Sequence, residues 1–198
     1  MTSAAGRPSW LAMTCLSLGL AGCSSAAPVM FTLRPVVGAT QQIGARIVLV
    51  RRPGLPRYLD RNAIVAAMAG YKVEASGGDR WAEPIGSMFA RVLAQDLAQR
   101  LPDATVLGEQ GAVTLPSDVS VDLEVQDFGP DATGAVLLQA QVAIERAVKS
   151  APGRASALMP VRSVRLAVRP ASMSTADLVA AMSDATGQLA DTIAAALR

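Results

Sequence analysis

DVSVDLEVQDFGPDATGAVLLQAQVAIERA, residues 118–147, alternates with a two-residue period on both sides of a turn. Val119, Val121, Leu123 and Val125 point one way, and Ser120, Asp122, Glu124 and Gln126 the other. GPDATG at 129–134 interrupts the pattern, and Leu138, Ala140, Val142 and Ile144 resume it. The stretch predicts an antiparallel hairpin with one wet face. Its dry face needs a covering layer, so the flanking segments decide the fold class.

Both flanks supply that layer. After the loop KSAPGRAS (149–156), Val164, Leu166 and Val168 alternate with Ser163, Arg165, Ala167 and Arg169, which predicts another strand. A helix then follows from a Ser174 cap, with Asp177 three residues on, and its buried stripe runs Leu178, Met182, Ala185, Leu189, Ile193 and Leu197. On the N-terminal side, Glu83–Leu101 repeats Ile85, Phe89, Val92, Leu93, Leu97 and Leu101 at helical spacing. Arg91, Gln95, Gln99 and Arg100 fall largely off that stripe, Pro84 suits the first turn, and Pro102 stops the helix. Ala45–Val50 is nearly unbroken in apolar residues, as for a strand covered on both faces, and Met30–Val37 reads as a first strand. Residues 63–75 read as two short strands hinged near Gly70 or one bent hairpin. The fold expected is α/β (α+β), a two-layer sandwich with a mostly antiparallel sheet and two long amphipathic helices on one face.

The first thirty residues give the location. Trp10–Gly22 is apolar but shorter than the roughly 20 residues a spanning helix needs. Arg7 precedes it without an acidic residue, and small residues follow, as in a secretory signal. The ending LAGC (20–23) resembles a bacterial lipobox, which implies cleavage between Gly22 and Cys23 and acylation of Cys23 by diacylglycerol and an N-acyl chain such as palmitate. Two or more chains make attachment stable. Ser24 and Ser25 follow, with no Asp at the second mature position, which in bacterial lipoproteins implies transfer to the outer membrane. The expected division is a signal peptide at 1–22, a lipidated tether at 23–28 and a single periplasm-facing domain at 29–198. Cys15 lies within the signal core and reads as a small hydrophobe.

Composition narrows the function. The mature chain keeps 17 Lys and Arg (18 less Arg7) against 16 Asp and Glu, too balanced for a nucleic-acid footprint. One cysteine survives processing, so no intrachain disulfide forms. The sequence has no histidine, which removes Ser-His-Asp and Cys-His catalysis and the commonest transition-metal ligand. No P-loop, G-x-G-x-x-G after a strand or G-x-S-x-G is present. The chain reads as a non-enzyme with no cofactor beyond the acyl chains; a hydrolase built on carboxylates alone is the disfavoured alternative.

Two segments stand out, LPRYLDR (55–61) and DRWAEP (79–84). Behind a lipobox, Pro56, Tyr58, Leu59, Asp60 and Arg61 followed by Arg80, Trp81, Ala82, Glu83 and Pro84 resemble the ABC-type transport auxiliary lipoproteins, also called PqiC-like lipoproteins, over essentially the whole mature chain. Residues 66–69 are more alanine-rich than that family's pattern. The resemblance implies an outer-membrane lipoprotein of the inner leaflet that docks an MCE-domain protein, whose inner-membrane permease completes an intermembrane lipid transport system. A homo-oligomeric ring around an MCE channel fits that reading, though no residue specifies it. The alternatives are a lipid carrier holding its ligand between sheet and helices, and an accessory of outer-membrane barrel or lipopolysaccharide assembly.

The candidate partner contacts are Tyr58, Leu59, Asp60, Arg61, Arg80 and Trp81. Each has a structural alternative: Tyr58 and Trp81 as rings closing the core edge, and Asp60 or Glu83 pairing with Arg61 or Arg80 to lock the loop onto the helix start. Arg46, Arg51, Arg52, Arg57 and Arg61 read as a solvated rim or as a surface for anionic groups. Asp122 and Glu124 read as cross-strand partners of Arg165 and Arg169, or else as an acid/base or divalent-ion pair.

Overall fold

The structure, a computed structural model, describes Thr2 and residues 27–69, 71–113, 115–147 and 156–198. All of the expected signal peptide but Thr2, with Cys23 and most of the tether, lies outside these residues, as does most of the 149–156 loop.

The hairpin at the centre is strand β6 (Val119–Pro130) with strand β7 (Val136–Ala147), paired antiparallel from Val119↔Arg146 to Pro130↔Val136. Val119, Val121, Leu123 and Val125 are buried as expected. The register shifts between Val125 and Asp127, which places one extra residue in β6. That shift inverts the alternation, so Phe128, an even position, faces inward opposite Leu138. At the turn, the Asp131 carboxylate accepts the Thr133 and Ala135 N–H groups at 2.8 and 3.2 Å. Gly134 takes φ +78°, a left-handed conformation that suits glycine.

The sheet grows outward from this hairpin. Strands β8 (Ser156–Leu158) and β9 (Arg162–Val168) both pair antiparallel with β7, at its Glu145–Ala147 and Val136–Val142 ends respectively. On the other side, β2 (Ile47–Val50) runs parallel to β6, and β5 (Thr105–Gly108) parallel to β2. The sheet is therefore mixed, antiparallel in its larger part. In β2 only Val48 and Val50 are buried while Ile47 and Leu49 are half-buried, so this strand alternates where its apolar run suggested cover on both faces.

Helices α1 (Ile85–Arg100) and α2 (Thr175–Ala196) pack on each other and cover the dry face. Phe89 of α1 meets Phe128 edge-to-face, with ring centroids 5.2 Å apart and planes at 87°. Pro84 caps α1 from just outside it, and its carbonyl accepts the Ser87 and Met88 N–H groups. The Ser174 hydroxyl accepts the Asp177 N–H at 3.2 Å, the cap expected from the sequence. Ser172 completes the arrangement, donating to the Asp177 carboxylate while its oxygen accepts the Ser174 N–H.

A second, three-stranded sheet is added at the N-terminal side. Strand β3 (Ala63–Ala69) pairs antiparallel with β4 (Lys72–Trp81), and β1 (Met30–Phe31) lies parallel to β4. The 63–75 segment is thus a hairpin, with β4 reaching on to Trp81. The first strand is two residues long where Met30–Val37 was expected, because Pro35 cannot donate to a ladder and the chain turns onto the helices instead.

Candidate functional site

The two motif segments meet at one corner of the molecule. The Trp81 N–H donates to the Asn62 carbonyl at 2.8 Å, Ala63 stands opposite Arg80, and the Ala82 N–H donates to the Phe31 carbonyl at 2.9 Å. β1, β3, β4 and the start of α1 therefore converge on Trp81, which is buried with Leu59 and Ile85. Tyr58 is half-buried and its hydroxyl donates to the Asp127 carboxylate at 3.0 Å, just past the β6 bulge. Burial first, and then the neighbouring Asp127 carboxylate, push the Tyr58 phenol up to about 12.

The charged members of the motifs turn outward. Asp60 and Arg61 are exposed. Asp60 pairs with Arg52 at 3.9 Å, and Glu83 pairs with Arg91, about two turns into α1, which corrects the expected pairing of these acids with Arg61 or Arg80. The physical reason is reach: Arg80 lies on a strand and donates to the Ser76 and Asp79 carbonyls of its own chain. Each motif is thus split by role. Leu59 and Trp81 hold the corner, Tyr58 ties it to β6, and Asp60, Arg61 and Arg57 face solvent above it.

Other sequence candidates separate. Asp122 pairs with Arg51 at 3.2 Å, across the β2–β6 boundary, while Arg165 donates to Gln139 at 2.9 Å. Arg165 and Arg169 are therefore not the partners of Asp122, because Arg51, the residue just past β2, takes that place. Burial raises the Asp122 carboxyl against the pull of Arg51. Among the described residues, no group of three or more His, Cys, Asp or Glu side chains is placed to hold a metal ion. A groove of about 400 Å³ runs between α1 and β5, floored by Ala90, Ala94, Ala98 and Val106 and edged by Arg91 and Glu109.

One charged cluster has no counterpart in the sequence reading. Residues 32–41 form a strap across the two helices, and its backbone bonds to helix groups. The Leu33 N–H donates to Met88 Sδ at 3.2 Å, Arg34 N–H to Ser183 Oγ at 3.2 Å, Val36 N–H to Asp96 Oδ1 at 2.6 Å, and Gln41 N–H to the Arg100 carbonyl at 2.6 Å. Arg100, assigned from periodicity to the outer side of α1, is 1% exposed beneath this strap. Its Nε donates to Asp191 of α2 at 2.6 Å, and Nη1 to the Val36 carbonyl at 2.9 Å. Asp96 is fully buried, and its Oδ2 has no hydrogen-bond partner among the described residues. Burial pushes its carboxyl up to about 6, against the opposing pull of the Val36 amide and Arg100. A Cβ at Gly38 would lie 2.2 Å from the Arg100 guanidinium carbon, so any other residue there has to displace that guanidinium.

No curated protein sequence matches the chain. A solved structure described only as an uncharacterized protein aligns with TM-score 0.69 at 18% identity, covering 87% of this chain and 100% of that one. A DUF330-family protein from Xanthomonas campestris aligns with TM-score 0.61 at 20% identity, covering 87% and 94% respectively. Both share its fold. Among the described residues no helix is long and apolar enough to cross a membrane. The family model for the ABC-type transport auxiliary lipoprotein component matches residues 31–194, from β1 to the last turn of α2, and the chain belongs to that family.

Proposed function

We propose that this lipoprotein is anchored at the inner leaflet of the outer membrane through acyl chains on Cys23, faces the periplasm, and docks an MCE-domain protein. That protein would work with an inner-membrane permease in intermembrane lipid transport. Family membership over residues 31–194 is the observation that carries the reading, since it ties the chain to a transport system as an auxiliary component.

The geometry supports docking in a specific place. At the motif corner Leu59 and Trp81 fix the backbone, and Arg57, Asp60 and Arg61 are held exposed on a rigid base. Arginine is enriched at binding hot spots, where a rigid frame lowers the ordering cost of association. A carrier with ligand between the layers receives less support. Val121, Val125, Leu138, Leu93, Leu97, Leu189 and Ile193 occupy that interior, and the groove between α1 and β5 opens outside it. Photo-crosslinking from p-benzoylphenylalanine at Arg61 in intact cells tests the reading. An adduct containing an MCE-domain protein supports it; an adduct only to a barrel-assembly or lipopolysaccharide-export protein would overturn it.

A further inference from the structure

The β3–β4 hairpin is rooted in the core at one end and bare at the other. At its root Ile64, Val65 and Trp81 are 1%, 6% and 5% exposed. At its tip Tyr71 is fully exposed, Val73 is 43% exposed, and Lys72 and Glu74 form an ion pair in solvent. Val29 and Met30, beside Arg80 toward the root of β4, are exposed as well. An isolated exposed valine needs no explanation, but a tyrosine and a valine at the end of a projecting hairpin form a convex apolar point.

The direction of that point is fixed by the topology. β1 runs parallel to β4, with Met30 opposite Arg80 and Phe31 opposite Trp81. The N-terminal end of β1, which leads back toward Cys23, therefore faces the same way as the hairpin turn. Cys23 stands seven residues before Met30, a reach of at most about 25 Å, and Lys72 stands eight before Arg80, about 27 Å along the strand. An acylated Cys23 and the hairpin tip can thus reach the same plane.

We propose that the tip rests in the interfacial layer of the membrane that holds Cys23, giving the domain two attachment points and a defined orientation. Tyr71 supplies an amphipathic ring of the kind enriched at membrane interfaces, Val73 adds apolar contact, and the Lys72 stem lets its ammonium reach head groups. A convex tip suits a deformable lipid surface, and the anchor keeps the bilayer at high effective concentration, so two side chains suffice. The inference rests on the reading of Cys23 as acylated.

The test uses the mature full-length lipoprotein with Tyr71→Cys carrying an environment-sensitive fluorophore, reconstituted into phosphatidylethanolamine–phosphatidylglycerol vesicles with shallow spin-labelled lipid. Val73→Cys serves as a second reporter and Gln188→Cys, exposed on α2, as the reference. The expected result is blue-shifted emission at both tip positions and quenching roughly threefold above that at position 188. Intact-mass measurement of the same sample reads acylation. An acylated protein with tip positions quenched no more than position 188 overturns the tip contact alone, whereas an unacylated N-terminus overturns the Cys23 reading and this inference with it.

Discussion

Asp96 on α1 holds the backbone N–H of Val36 at 2.6 Å, and this bond fastens the first stretch of the domain to its helices. Arg100 closes the other side by donating to the Val36 carbonyl. Force applied through a tether ahead of β1 would load the β1–β4 pairing first and then pass along this strap into α1 and α2. The latch is built from charge in the interior, and that has measurable consequences.

The folded-state carboxyl of Asp96 stands at about 6, above its unfolded value near 4. Between those values the native state binds more protons than the unfolded chain, so this group's contribution is present in acid and is lost as pH rises through about 6. Two units correspond to roughly 2–3 kcal/mol. Asp122 is raised by burial and acts with the same sign. Urea denaturation at pH 5 and pH 7.5 should show lower stability at the higher pH, and Asp96→Asn should remove most of that difference. An unchanged pH profile in the variant would place the effect elsewhere.

Gly38→Ala should lift the strap. The new methyl group meets the Arg100 guanidinium, which is locked by Asp191 and Val36 and cannot swing aside without leaving Asp96 uncompensated. The expected loss is about 1–3 kcal/mol, with faster hydrogen exchange at Val36 and Gln41. Exchange unchanged at those two amides would argue against the latch.

The motif residues should divide into two classes. Trp81→Ala removes a buried ring at the junction of three strands and a helix, and should cost about 3–5 kcal/mol. Tyr58→Phe loses one hydrogen bond to Asp127, about 0.5–1.5 kcal/mol. Asp60→Ala with Arg61→Ala touches only exposed groups and a long ion pair, and should shift stability by less than about 0.5 kcal/mol. Thermal denaturation of the three variants reads this order directly.

Cys23→Ser should release the protein from the membrane fraction while the circular dichroism of the domain stays unchanged. Continued attachment of that variant to the membrane would contradict the lipobox reading.

What the sequence revealed follows from the range of the interactions. The β6–β7 hairpin and the α2 stripe were legible because their periods are local, and the Ser174 cap because its bond spans three residues. The inward turn of Phe128 was hidden, since a bulge leaves the composition of a strand unchanged. β5 escaped because four residues cannot display a period. The strap was illegible for a deeper reason: its backbone bonds join residues 60 and 149 positions apart, so Asp96 and Arg100 look like an ordinary surface pair until Val36 is laid over them. The corner was half legible. YLDR and RWAEP marked the place, but which side chains turn inward depended on the meeting of Trp81 with Asn62.

Docking to an MCE-type transporter is tested most directly by affinity purification of the full-length lipoprotein from detergent-solubilised envelopes, in parallel with the Asp60→Ala/Arg61→Ala variant. The account predicts an MCE-domain protein and its permease with the wild type, and their loss or strong depletion with the variant at unchanged protein level. Recovery of barrel-assembly or lipopolysaccharide-export components in their place would contradict it.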